Sequence, residues 1–176
     1  MSGTTSSLLL MVGVVVIFGT AAYAGIKAAP WLPVFKRDIK RIVTLANLKQ
    51  NDVAYDLGSG DGRVVLALAH NSSATICGYE VSFALYLWSW LKVVLLGLSR
   101  QVEIRFGDFL SRDLSQATVI FCFLTPKAMA KLGPKFRAEL RPGTRVISYS
   151  FAIPGWVPAA VSRPAADRIP IYTYIC

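Results

Sequence analysis

One stretch of this sequence decides the fold: Tyr55-Asp56-Leu57-Gly58-Ser59-Gly60-Asp61-Gly62-Arg63. The apolar residues Val53–Leu57 enter it and indicate a buried parallel strand. Three alternating glycines follow, and glycine lets the backbone take a positive φ and approach a ligand closely. A helix-forming run begins at Arg63. Strand, glycine loop and helix predict an α/β fold, a Rossmann-like doubly wound and mostly parallel sheet that binds its ligand at the carboxyl ends of the strands.

The order of residues in the loop separates two nucleotide-binding classes. A dinucleotide-binding loop, G-x-G-x-x-G, needs a glycine at position 63 for close helix packing, and Arg63 stands there. The pattern D-x-G-x-G-x-G over residues 56–62 instead resembles motif I of class I S-adenosylmethionine-dependent methyltransferases. The resemblance implies S-adenosyl-L-methionine as the cofactor. It places four residues against the amino acid part of that cofactor: Asp56, Gly58, Ser59 and Gly60.

Two more acids follow predicted strands of the same sheet. Glu80 ends the second strand, residues 74–79, where a carboxylate can accept hydrogen bonds from both ribose hydroxyls of either nucleotide class. Asp108 follows the third strand, residues 102–106. The methyltransferase resemblance implies that Asp108 accepts from the adenine amino group and that Phe109 lies beside the adenine ring.

The fourth predicted strand, residues 118–123, leads to Leu124-Thr125-Pro126 at the rim of the site. Methyltransferases that act on amide or exocyclic nitrogens often carry D/N-P-P-Y/F/W there, and this chain does not. The rim therefore suits an amine, such as that of lysine, which only has to arrive neutral and in line. A helix over 127–140, interrupted at Gly133-Pro134, and strands over 144–151 and 168–175 complete the predicted sheet.

The N-terminal segment Leu8–Ile26 is uncharged over about 19 residues, the length that crosses a bilayer as a helix. We expect a single-pass transmembrane anchor in residues 1–29 and a methyltransferase domain in residues 30–176. A cleaved signal peptide is the alternative, since Ala22-Tyr23-Ala24 has the form of a cleavage site. Basic residues follow the apolar run and predict that the domain lies on the cytoplasmic, or topologically equivalent, side.

Composition adds three expectations. The net charge of +9 could indicate nucleic acid, but much of the excess lies beside the apolar segment and is better explained by anionic headgroups, so no nucleic-acid partner is expected. Three scattered cysteines and a single histidine, His70, predict reduced thiols and no metal site. The segment Val81–Leu98 is apolar nearly all round, which fits either a core helix or one that also faces the bilayer or a partner.

A narrower resemblance comes from the order of several short motifs. An apolar anchor, Pro30-Trp31-Leu32-Pro33, the glycine loop, Gly78-Tyr79-Glu80, Phe123-Leu124-Thr125-Pro126 and Gly155-Trp156-Val157-Pro158 follow one another. This order is similar to that of membrane-anchored protein-lysine methyltransferases, whose mitochondrial members act on the adenine nucleotide translocase and the ATP synthase c-subunit. Val34 and Val81-Ser82-Phe83 depart from the family's pattern, which bears on the substrate rather than on the cofactor.

The resemblance implies a membrane-anchored protein-lysine N-methyltransferase with a membrane-associated protein substrate. The candidate residues of its substrate channel are Trp31, Phe35, Thr125, Pro126 and Trp156. No general base is assigned. Two alternatives stay open: a methyltransferase of small molecules or lipids, and a non-catalytic cofactor-binding membrane protein.

Overall fold

The computed structural model describes residues 2–27 and 32–176. Two residues of the proline motif, Pro30 and the predicted channel residue Trp31, therefore lie outside the described residues. The predicted boundary between residues 29 and 30 lies there as well, so the division into anchor and domain stays a prediction.

The described residues form five α-helices, one short 3-10 helix and seven strands. The helices are α1 (Ser2–Lys27), α2 (Lys36–Ala46), α3 (Arg63–His70), α4 (Phe83–Leu95) and α5 (Pro126–Glu139), and the 3-10 helix covers Phe109–Ser111. The strands are β1 (Val53–Leu57), β2 (Thr75–Glu80), β3 (Val102–Phe106), β4 (Val119–Cys122), β5 (Arg145–Tyr149), β6 (Ala160–Ser162) and β7 (Ile171–Ile175).

The seven strands form one sheet in the order β3-β2-β1-β4-β5-β7-β6. β1 pairs in parallel with β2 and β4, β2 with β3, and β4 with β5. β7 runs antiparallel between β5 and β6. The strand order reverses next to β1, and this is where an open α/β sheet forms its ligand crevice. The predicted mostly parallel, Rossmann-like sheet is confirmed.

Two apolar layers cover the sheet. On one face, side chains from α2, α3 and α4 pack on Ala54, Ile76 and Phe121, which are all buried. On the other face α5 packs through Leu132 and Phe136, both fully buried, onto Leu57 and Ile120. Alternate residues of each strand enter opposite layers, as the pleat requires.

One local prediction differs from the structure. α5 runs without a break through Pro134, whereas the sequence predicted an interruption at Gly133-Pro134. Leu132 and Phe136, on either side of the proline, are both buried in the core, and this packing holds the helix together. The short strand β6 lies in the proline-rich link before β7 and forms the edge of the sheet, where proline is tolerated.

Helix α1 covers the apolar segment that was predicted to cross a membrane. Its Thr20 hydroxyl accepts a hydrogen bond from the backbone N–H of Phe83, at the start of α4, at 3.1 Å. Within residues 2–27 and 32–176, no helix combines the length and the apolar character that a bilayer crossing requires. The predicted transmembrane helix is therefore not supported as such, although a helix is present at that position.

Candidate active site

The glycine loop crosses the carboxyl end of β2, the strand beside β1. The backbone N–H groups of Gly58 and Ser59 both donate to the carbonyl oxygen of Tyr79, each at 2.9 Å. Gly58 has a φ of +85°, and a Cβ there would stand 3.2 Å from a methyl group of Leu124. A side chain at this position would be both strained and crowded, so the loop requires glycine.

Glu80 binds the same loop through its carboxylate. One oxygen, Oε2, accepts from the backbone N–H of Gly60 at 2.8 Å, and the other, Oε1, accepts from that of Ser82 at 2.7 Å. The side chain is buried, and burial raises the pKa of Glu80 despite these hydrogen bonds, which favour the charged form. Each carboxylate oxygen keeps a further lone pair, so Glu80 can brace the loop and still accept from a ribose hydroxyl.

Asp56 and Ser59 lie buried at the end of β1 and in the loop that follows it. Burial raises the pKa of Asp56 well above its usual range, and the nearby carboxylates of Glu80 and Asp61 act in the same direction. The Ser59 hydroxyl is buried and has no hydrogen-bond partner among the described residues. A buried hydroxyl without a partner costs free energy, and a ligand can supply the missing hydrogen bond. Both residues therefore fit the polar amino acid end of the cofactor.

Gly78 makes the position of Ser59 possible. A Cβ on Gly78 would stand 2.9 Å from both the Cβ and the Oγ of Ser59. The sequence motif G-Y-E contains this glycine. Its contact with Ser59 joins β2 to the loop after β1, so the local sequence pattern did not predict it.

Three charged residues support the outer side of the loop, and sequence reasoning assigned none of them to the site. The Arg63 guanidinium donates to both oxygens of Asp61, at 2.9 and 2.8 Å. The Lys92 Nζ, from α4, donates to the Asp61 carbonyl at 2.6 Å. Burial alone would raise the pKa of Asp61, but Arg63 and Lys92 hold it below its usual value. Arg63 also donates to the carbonyl of Val34, which links the loop to the segment before α2.

Asp108 caps the 3-10 helix after β3. Its Oδ1 accepts from the backbone N–H of Leu110 at 2.9 Å, and its Oδ2 accepts from the hydroxyl of Tyr23, in α1, at 3.1 Å. The neighbouring Phe109 is 4% exposed and packs in the core layer that α5 covers. The structure therefore gives Phe109 a core contact, and its place beside an adenine ring stays a prediction.

Residues that were predicted to line the substrate channel lie after β4 and near β5. Thr125 caps α5, accepting from the backbone N–H of Ala128 at 3.4 Å, and Pro126 is exposed at the first helical position. Phe35 is connected to this rim through Tyr149, whose phenol oxygen accepts from the Phe35 backbone N–H. The Tyr149 ring in turn contacts that of Phe123, with 4.8 Å between centroids.

Asp38 holds Tyr149 in place. The Tyr149 hydroxyl donates to Asp38 Oδ2 at 2.8 Å, and Arg41 donates to Asp38 Oδ1 at 2.7 Å. Asp38 is fully buried, and although burial alone would raise its pKa, these two donors lower it. The pairing of α2 with β5 was not predictable from either segment alone.

Trp156 lies away from the rim. Its ring packs against Phe136 and Tyr174, with centroid separations of 6.2 and 5.9 Å, and its Nε1 faces Gly133 in the middle of α5. These contacts put Trp156 about two helical turns from the rim residue Pro126. The structure thus places Thr125 and Pro126 at the start of α5, links Phe35 to Phe123 through Tyr149, and gives Trp156 a packing position.

The thiols of Cys77 and Cys122 lie inside the protein. Burial raises the pKa of Cys77 to about 11 and that of Cys122 to about 12, which makes both poor nucleophiles. His70 bonds through Nδ1 to the Leu66 carbonyl within its own helix. In the part of the chain that the structure describes, no three His, Cys, Asp or Glu side chains are grouped as metal ligands would be.

A glycine loop at the strand-order reversal, with acids at the carboxyl ends of β1, β2 and β3, defines a class I S-adenosylmethionine-dependent methyltransferase. A solved structure described as an RNA methyltransferase from Salinibacter ruber, in complex with S-adenosyl-L-homocysteine, is 33% identical with a TM-score of 0.77. The match covers 82% of this chain and 93% of that one. S-Adenosylmethionine is the cofactor.

The chain belongs to the family of the ANTKMT methyltransferase domain, whose model matches residues 56–160. A protein-lysine N-methyltransferase of Saccharolobus islandicus is 34% identical over 83% of this chain and 92% of its own length. The adenine nucleotide translocase lysine N-methyltransferase of Mus musculus is 32% identical over 81% of this chain, which spans 62% of that protein. The resemblance predicted from the motifs is therefore confirmed.

Proposed function

We propose that this protein transfers the methyl group of S-adenosylmethionine to the ε-amine of a lysine in a protein substrate, and that it acts at a membrane. The observation that carries the proposal is the rim after β4, where Thr125 caps α5, Pro126 is exposed at its first position, and the nearby ring of Phe123 packs on that of Tyr149. The relatives named as lysine methyltransferases support the same choice of acceptor.

The glycine loop and the acids at the ends of the neighbouring strands would hold the cofactor. Glu80 accepts from the ribose hydroxyls, Ser59 and Asp56 meet the polar amino acid end, and Asp108 accepts from the adenine amino group. The cofactor supplies an electrophilic methyl group on a positively charged sulfur. The role of the chain is then to bind and orient, because a positioned nucleophile gains most of its rate from proximity.

The rim has to deliver a neutral amine. Free lysine has a pKa of about 10.4, and removal of its ammonium group from water lowers that value. The exposed ring of Phe35, the partly buried ring of Phe123 and the ring of Pro126 offer apolar surface to the four methylene groups of a lysine side chain. Such a surface favours the uncharged form of the amine close to the methyl donor.

The test is transfer of label from S-adenosylmethionine to native membranes, with the products separated into protein, lipid and RNA. We expect label in a protein band and, after acid hydrolysis, in methylated lysine. Asp56→Asn should abolish the transfer, and Asp167→Asn, the same change at an exposed acid outside the site, should leave it intact. Label in the lipid extract would support a lipid methyltransferase, and cofactor binding without transfer would support a non-catalytic protein.

RNA is the second candidate acceptor, and one observation favours it. The Salinibacter ruber relative is described as an RNA methyltransferase, and the net charge of +9 suits a phosphate backbone. Label in purified RNA that is lost with ribonuclease, and absent from protein, would replace lysine by RNA as the acceptor.

Attachment to a membrane is supported by exposed apolar side chains on two helices. In α1, Leu9 is 73% exposed, and in α4, Leu95 is 75% and Trp88 is 54% exposed. The two helices contact each other where Thr20 meets Phe83, so their apolar surfaces are neighbours. Exposed apolar surface of this extent on adjoining helices is typical of a membrane or protein contact. The predicted location, with a single pass and a cytoplasmic-side domain, stays a prediction.

Vesicle flotation tests this part of the proposal. We expect the protein to float with phosphatidylcholine vesicles that contain phosphatidylglycerol, because basic residues accompany the apolar surface. Leu9→Glu should reduce flotation strongly and Leu95→Glu more weakly. Val157→Glu is the matched control, since Val157 is 91% exposed but lies in the loop between β5 and β6. Equal flotation of all three variants would show that neither helix contributes to the membrane contact.

A further inference from the structure

Tyr23 connects the N-terminal helix to an acid of the cofactor site. Its hydroxyl donates to Asp108 Oδ2 at 3.1 Å, across 85 positions of sequence. Three residues earlier on α1, the Thr20 hydroxyl accepts from the Phe83 backbone N–H at 3.1 Å. Two hydrogen bonds one helical turn apart therefore fix this part of α1 over the ends of β2 and β3.

Asp108 depends on such contacts for its orientation. It follows the edge strand β3, and its other oxygen, Oδ1, is held by the backbone N–H of Leu110 in a 3-10 helix of only three residues. One donor on each oxygen fixes the plane of the carboxylate. Each oxygen can still accept one more hydrogen bond, so an adenine amino group can bind to a carboxylate that already has its orientation.

We propose that Tyr23 is a positioning residue for the cofactor: it orients Asp108 for the adenine amino group, so that α1 completes the adenine end of the site. This inference rests on the proposed role of Asp108 in cofactor binding. It gives α1 a function in recognition of the cofactor, separate from any contact with a membrane.

Tyr23→Phe tests the inference, because it removes the hydroxyl and keeps the ring. The measurement is calorimetric binding of S-adenosylhomocysteine and of its deaminated analogue, S-inosylhomocysteine, to the full chain. Loss of one hydrogen bond to a charged group should weaken S-adenosylhomocysteine binding about tenfold. The wild-type preference over the inosyl analogue should fall by a similar factor, because only the adenosyl form donates from its amino group. A merely structural role for Tyr23 would weaken both ligands equally.

Three further variants separate the possible failures. Tyr172→Phe, which removes a phenolic hydroxyl group from strand β7 and keeps the ring, should leave both affinities unchanged. Asp108→Asn should weaken S-adenosylhomocysteine binding, and Tyr23→Phe in that background should add little. If Asp108→Asn has no effect, the adenine assignment of Asp108 fails and the inference with it. If Asp108→Asn weakens binding while Tyr23→Phe leaves it unchanged or tightens it, the inference about Tyr23 alone is overturned.

Discussion

Replacement of Glu80 by glutamine tests the centre of the proposed site. The change keeps the size of the side chain and removes its charge and one of its two acceptor oxygens. In the structure each of those oxygens holds one backbone N–H, from Gly60 at 2.8 Å and from Ser82 at 2.7 Å. Glutamine can accept from one of these groups only, and its amide NH₂ then faces the other donor.

Two magnitudes follow from this geometry. A buried N–H left without an acceptor costs about 2 kcal/mol of folding free energy, which lowers the unfolding temperature of a domain of about 150 residues by about 4–8 °C. The cofactor's ribose loses one hydrogen bond to a charged acceptor, worth about 1.5–3 kcal/mol, which weakens binding by about 10- to 150-fold. Glu80→Ala removes both acceptor oxygens and should abolish measurable binding.

Thermal unfolding and calorimetric titration with S-adenosylmethionine measure the two effects on the same samples. Asp167→Asn, an acid-to-amide change at an exposed position, serves as the control and should alter neither quantity. A lowered unfolding temperature with unchanged affinity would refute the ribose role and leave Glu80 as a brace of the loop only. If neither the unfolding temperature nor the affinity changes, the hydrogen bonds from Gly60 and Ser82 to the Glu80 carboxylate are contradicted.

Three further predictions concern the surroundings of the site. Gly78→Ala places a Cβ 2.9 Å from Ser59, so we expect a loss of about 1–3 kcal/mol in chemical denaturation and weaker cofactor binding; an unchanged midpoint would contradict the close contact. Asp38→Ala leaves Arg41 and Tyr149 without their buried acceptor and should cost about 3 kcal/mol in the same assay, whereas Asp167→Ala should cost almost nothing. The fold raises the pKa of Asp56 above its value in the unfolded chain, so the protonated carboxyl group stabilises the folded state. This stabilisation is complete below about pH 3.9, and it is lost as the pH rises through the raised pKa. In Asp56→Asn the unfolding free energy should no longer fall over this pH range. Identical slopes of unfolding free energy against pH for the wild type and the variant would reject the assignment of this fall to Asp56.

Strands β1 and β2 were predictable because each is a short apolar run that ends at a glycine or an acid. The register of β1 with β2 and β4 places the ends of these runs at one edge, which is why a linear pattern at Asp56 and Glu80 could indicate a site. The continuous α5 was not predictable. Its proline is tolerated because core contacts on both sides hold the helix, and those contacts come from distant residues.

The supporting interactions of the site had no local signal. Arg63 was interpreted as the start of a helix and as a residue that excludes a dinucleotide loop, yet it also pairs with Asp61 and donates to the Val34 carbonyl. Tyr23 lay in a segment interpreted by its hydropathy and by its likeness to a cleavage site, and neither takes account of a hydroxyl that reaches Asp108. Trp156 was assigned to the channel by resemblance, although the absence of a side chain on Gly133 provides a packing position for it. Such contacts depend on distances in the folded protein, and the periodicity of the sequence does not reveal those distances.

The glycine loop is held by the neighbouring strand at three backbone groups: Gly58 and Ser59 bind the Tyr79 carbonyl, and Gly60 binds the Glu80 carboxylate. Its conformation is therefore fixed when the sheet folds, before any cofactor arrives. Binding then orders little additional backbone, and the entropy of loop ordering, which would otherwise oppose association, has already been lost during folding. A preorganised loop of this kind favours ready exchange of product for fresh cofactor, since neither step requires the chain to be rebuilt.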